Sequence, residues 1–96
     1  MIEEADRLKN IAGEHYRRGN YHEAIGFYNQ AIQSNPKVSV YFSNRARAYR
    51  QLSEYVQSAL DAQEAIELDE SNIKAHYIMG FVTSTQSFGS RKTKFG

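Results

Sequence analysis

The chain repeats itself at a spacing of 34 residues. Shifted by that amount, Asn10 falls on Asn44, Ala12 on Ala46, Tyr21 on Tyr55 and Ala31-Ile32 on Ala65-Ile66. A second shift carries Ala46 to Gly80. Self-similarity at this length marks a repeated supersecondary unit that buries its apolar face only against its neighbours. The 96 residues hold two full units and part of a third. A frame that opens at Ala5 closes at Asn72 and leaves Ile73 to Gly96.

The unit reads as helical. The chain has one proline and no alternating β-branched run, apart from the short stretch Val38–Phe42, which leads straight into the helical pattern of Ser43–Tyr49. Gly19-Asn20, Asn35-Pro36 and Ser53 punctuate the chain. They divide it into helices over 3–18, 21–34, 39–51 and 55–68, and the polar run Asp69-Glu70-Ser71-Asn72 can cap a fifth near Ile73. Helices of about 12 to 16 residues joined by short turns form antiparallel hairpins. Small residues at Ala12, Ala24, Ala31, Ala46, Ala65 and Gly80 permit close helix approach, and Leu8, Tyr28, Phe42 and Tyr49 fill the spaces between. Tyr21 and Tyr55 read as packing residues too, whereas Tyr16 and Tyr77 are candidates for an open groove.

Composition excludes several functions. There is no cysteine, hence no disulfide framework and no thiolate metal site. His15, His22 and His76 lack metal-ligand spacing, so no metal and no cofactor is expected, and His15 and His76 are expected to pack between helices. A formal charge of +1 argues against bulk nucleic-acid binding. No apolar run approaches the ~20 residues of a membrane span. The acidic start Met1-Ile2-Glu3-Glu4 is unlike a targeting peptide, which leaves the cytoplasm, with the nucleus as a further site, as the expected compartment. No Ser/His/Asp or paired-carboxylate arrangement points to an enzyme.

A 34-residue helix–turn–helix period, with small, aromatic and proline positions at Leu8, Ile11, Ala12, Ala24, Tyr28, Ala31 and Pro36, then at Phe42, Ala46, Tyr49, Ser58, Ala62 and Ala65, resembles the tetratricopeptide (TPR) repeat family. The fold class expected is all-α, about two and a half TPR repeats in a right-handed superhelix. The TPR domain would span 1–86, with repeats over about 5–38 and 39–72 and a partial repeat over about 73–86. The remaining 87–96 would form a flexible basic tail. The fifth helix carries Tyr77, Ile78, Met79, Phe81 and Val82 around its circumference, so self-association through 73–86 is a further expectation.

The segments Asn35–Ala46, Ala65–Asp69 and Lys74–Tyr77 are similar to the TPR domain of CHIP-type co-chaperone ubiquitin ligases, cut short in the third repeat. That resemblance implies a carboxylate clamp, in which Lys and Asn side chains hold the C-terminal Glu-Glu-Val-Asp of a heat-shock chaperone. It assigns Lys9, Asn44 and Lys74 to the clamp. Two positions depart from the family pattern: Gly13 stands where an Asn is usual, and Ile78 where many members have Arg. With Tyr16 and Tyr77, these residues form the expected peptide-binding set. The expected function is a co-chaperone adapter. The alternatives are the substrate-recruiting part of a CHIP-like ligase, whose U-box is not in this sequence, and a self-associating scaffold.

Overall fold

The computed structural model describes residues 2–86, with side chains from Glu3 to Val82; the expected tail over 87–96 lies outside the described residues. Five helices follow one another: α1 (Ile2–Arg17), α2 (Tyr21–Ser34), α3 (Ser39–Gln51), α4 (Tyr55–Leu68) and α5 (Ile73–Gln86). No strand occurs among the described residues. α1 and α2 form one hairpin, α3 and α4 a second, and α5 packs on α4 and along α3.

The turns inside the two hairpins are copies of one another. After α1, Gly19 adopts φ 81°, its N–H bonds to the Tyr16 carbonyl at 2.9 Å, and the Asn20 N–H reaches back to the His15 carbonyl at 2.9 Å. After α3, Ser53 takes φ 61°, with its N–H on the Arg50 carbonyl at 2.9 Å and the Glu54 N–H on the Tyr49 carbonyl at 2.9 Å. Both are Schellman terminations, which need a left-handed residue after the helix. Glycine meets that need freely in the first turn, and Ser53 meets it at a steric cost in the second.

The core is built from small residues. Ala5, Ala12, Ala24, Ala31, Ala46, Ala62, Ala65 and Ala75 are wholly buried, which lets the helix axes approach closely. Leu8, Tyr28, Tyr41 and Phe42 fill the gaps. Polar ties fix the register of the hairpins. The Ser58 hydroxyl donates to the Ala46 carbonyl at 2.8 Å and the Ser39 hydroxyl to the Ala65 carbonyl at 2.7 Å, both buried, so each satisfies a polar group taken from water. Arg45 donates to both carboxylate oxygens of Asp61 at 2.7 Å and to the side-chain Oδ1 of Asn29 at 2.7 Å, which joins α3 to α4 and to α2.

α5 is positioned by its cap. The Asn72 side-chain oxygen accepts the Ala75 N–H at 3.0 Å, an N-cap bond, while its amide donates to Ser39 and Ser43 of α3 at 2.7 and 3.1 Å. One residue thus starts α5 and attaches it to the preceding repeat. Ala75, Ile78 and Val82, spaced three and four apart, form the buried stripe of α5 against α4. The opposite stripe, Ile73, Tyr77 and Phe81, is exposed, at 82%, 64% and 38%. Among the described residues no helix is long and apolar enough to cross a membrane.

Candidate peptide-binding groove

The first helix of each repeat supplies one wall or end of a groove of about 750 Å³. α1 contributes Lys9, Gly13, Tyr16 and Arg17, which share one face because they recur at three- and four-residue spacing. α3 contributes Asn44, Arg47 and Gln51 by the same spacing, and α5 contributes Lys74. Tyr21 and the buried Tyr28 line it from α2. The tyrosines form a firm surface: Tyr16 and Tyr21 meet edge to face with ring centres 5.2 Å apart, and the Gln51 amide donates to the Tyr16 hydroxyl at 3.2 Å.

The groove is positive. Lys9, Arg17, Arg47 and Lys74 line it against one acid, Glu14, which Arg17 and Arg18 approach at 3.6 and 3.9 Å. Lys74 donates to the side-chain Oδ1 of Asn44 at 2.6 Å. Burial holds the Lys74 ammonium below its usual pKa, and the neighbouring charges of Arg47 and Lys9 add to that effect. A cation held there without a carboxylate partner is stabilised by any anion that enters the groove. Among the described residues no cluster of His, Asp or Glu could hold a metal ion.

Of the residues expected to bind peptide, the structure brings Lys9, Gly13, Tyr16, Asn44 and Lys74 to this groove. Tyr77 does not line it; the ring is exposed beside Arg50, whose guanidinium carbon lies 5.6 Å from its centre. Ile78 is a correction. It is wholly buried in the α4–α5 core, because the Ala75–Ile78–Val82 stripe turns that position inward. His76 is a second correction: it is exposed, and its ring nitrogen lies 2.8 Å from the Glu70 carbonyl oxygen. His15 does pack between helices, stacked on Phe27 with ring centres 5.3 Å apart. Sequence reasoning missed Arg47 and Gln51, although their positions three and seven residues after Asn44 put them on its face. Tyr21 and Tyr28, expected as packing residues, also border the groove.

The chain matches no protein-family model. It is 40% identical over 76 residues to serine/threonine-protein phosphatase 5 of Homo sapiens, an alignment covering 79% of this chain and 15% of that protein. The chain thus spans about one seventh of the length of that curated relative. Among solved structures it is similar to the first TPR of Spaghetti (RPAP3) bound to the HSP90 peptide SRMEEVD, with a TM-score of 0.88 and 28% identity over 90% of this chain and 68% of that one. The Arabidopsis OM64 TPR domain gives a TM-score of 0.87 at 27% identity, covering 90% of this chain and 71% of that one.

Proposed function

We propose that this tetratricopeptide-repeat fold serves as a co-chaperone adapter that grips the C-terminal Glu-Glu-Val-Asp of a heat-shock chaperone through Lys9, Asn44 and Lys74. The observation that carries the reading is the convergence of Lys9, Asn44, Arg47 and Lys74 on one groove, with one acid among the lining residues. A terminal aspartate presents two carboxylates. The two ammonium groups and the Asn44 amide offer donors to both, and charge-assisted bonds of this kind contribute about 1.5–3 kcal/mol each when shielded from water. Capture of a C-terminal carboxylate is a recurrent mode of peptide recognition. The similar RPAP3 domain carries a peptide ending in the same four residues, which supports this choice of ligand.

The test is a titration of the SRMEEVD peptide into the wild-type chain and into Lys9→Ala, Asn44→Ala and Lys74→Ala. Each substitution is expected to weaken binding at least tenfold, as loss of one shielded charge-assisted bond implies. Affinities within twofold of wild type for all three would remove the clamp from consideration.

A ligase of the CHIP type is a narrower form of the same proposal. In it this segment recruits chaperone-held substrates, and ubiquitin transfer belongs to a separate catalytic part. Self-association is a second reading, favoured by the exposed stripe Ile73, Tyr77 and Phe81. A sedimentation coefficient that stays constant with concentration would count against it.

A further inference from the structure

The groove holds one more unpaired cation than a terminal aspartate requires. Along α3, at about 1.5 Å per residue, Asn44, Arg47 and Gln51 make a stripe roughly 10 Å long. Asn44 stands with Lys9 and Lys74 at one end, and Gln51 with Tyr16 at the other. Arg47 lies one turn from Asn44, between these ends. Among the described residues no carboxylate pairs with it, since Glu14 is engaged by Arg17 and Arg18.

Two features prepare Arg47 for a ligand. Its guanidinium carbon lies 4.6 Å from the centre of the Tyr16 ring, and that stacking orients the planar fork that binds a carboxylate with two bonds. The α1 wall includes Gly13, which has no side chain to fill the space. A β-carbon built there meets one atom within 4 Å, the tip of the Arg17 side chain at 3.5 Å. The groove is therefore both open and positive beyond the clamp residues. In an extended peptide, side chains on the same side recur every second residue, about 6.6 Å apart. The side chain two residues before the C-terminus thus faces the same wall as the terminal one, at a distance the long Arg47 side chain can bridge.

We infer that Arg47, together with the gap at Gly13, forms a second acid-reading subsite that selects peptides with Glu or Asp two residues before the C-terminal acid. The inference rests on the clamp reading of Lys9, Asn44 and Lys74 and adds the residue that discriminates among ligands ending in an acid. It also accounts for a chain that concentrates cations in one groove. Two carboxylates at the terminus and one further back compensate Lys9, Lys74 and Arg47 together.

The test is a two-by-two calorimetric comparison. Wild type and Arg47→Met are each titrated with SRMEEVD and with SRMEQVD, in which the glutamate two residues before the end becomes glutamine. Arg47→Met keeps an unbranched stem against Tyr16, and a thermal melt checks that it folds. Wild type is expected to lose five- to tenfold in affinity on the Glu-to-Gln change, and Arg47→Met less than twofold. Arg47→Lys, which keeps the charge without the fork, should lose an intermediate factor. An equal Glu-to-Gln ratio in wild type and Arg47→Met overturns the inference, because Arg47 would then be a packing residue of the groove wall. Amidated SRMEEVD separates this failure from a failure of the clamp. If amidation weakens binding to both proteins but the ratios are equal, the clamp stands and the Arg47 subsite falls. If acid and amide bind alike, the clamp itself falls.

Discussion

Lys74 Nζ and Asn44 Oδ1 lie 2.6 Å apart and join α5 to α3 inside the groove. The pair links two repeats, yet its cation is one the fold does not favour: burial, then Arg47 and Lys9, lower the Lys74 pKa. A half-buried cation that faces an open groove and has no carboxylate partner among the described residues is suited to receive an anion from outside. Lys74→Met should therefore leave unfolding free energy within about 1 kcal/mol of wild type while lowering peptide affinity at least tenfold. Urea denaturation and calorimetry on the same preparation decide this. A large loss of stability would make Lys74 a structural link instead.

The ion pair between Arg45 and Asp61 should behave in the opposite way. Both side chains are largely buried, at 20% and 9% exposure, and three 2.7 Å bonds converge on the guanidinium. Removing one partner strands the other, which costs about 3 kcal/mol or more. Asp61→Ala is expected to lose that much in urea denaturation, whereas peptide affinity of the fraction that remains folded should hardly change. A loss below about 1 kcal/mol would mean that water reaches the pair.

Ser53 offers a stabilising change. It repeats the conformation of Gly19 at φ 61° without being glycine. A left-handed non-glycine residue costs about 1–2 kcal/mol, partly offset by the greater freedom glycine gives the unfolded chain. Ser53→Gly should raise stability by about 0.5–1 kcal/mol, read as a higher thermal midpoint. An unchanged or lower midpoint would show that the turn is not strained.

Tyr41 sets a limit at high pH. It is fully buried and its hydroxyl donates to Asp6 Oδ1 at 2.6 Å. Burial, then the hydrogen bond and the charge of Asp6, push its pKa from 10.0 up to about 12. The unfolded chain releases this proton near pH 10 and the folded chain retains it. The stability Tyr41 contributes is thus complete below pH 10 and is lost as pH rises towards 12. Urea midpoints should fall between pH 10 and 11 in wild type and fall less in Tyr41→Phe; parallel declines would assign the effect to other groups.

Most of the fold was legible in the sequence because the repeat acts locally. The 34-residue spacing aligned the alanines that let helices approach, and Asn72 stood where a cap for α5 was required. Lys9, Asn44 and Lys74 came from the resemblance to clamp-type domains, matched residue by residue; the spacing says only that they stand on three successive first helices. Ile78 did not. Apolar residues surround α5, so its periodicity could not say which stripe faces α4, and the packing of Ala75 and Val82 decided it. Arg47 was hidden for another reason. A charged residue on a helix looks solvated until the helix opposite is known, and here that helix carries Tyr16 and Gly13. Arg45 and Asp61, on different helices, were invisible as a pair for the same reason.

In the proposed clamp, a free terminal carboxylate is what the groove holds. Calorimetric titration of the chain with SRMEEVD as the free acid and as the C-terminal amide tests it most directly. Amidation is expected to weaken binding tenfold or more, matching the removal of one charge-assisted contact of about 1.5 kcal/mol or more. Equal affinity for the two forms would contradict it.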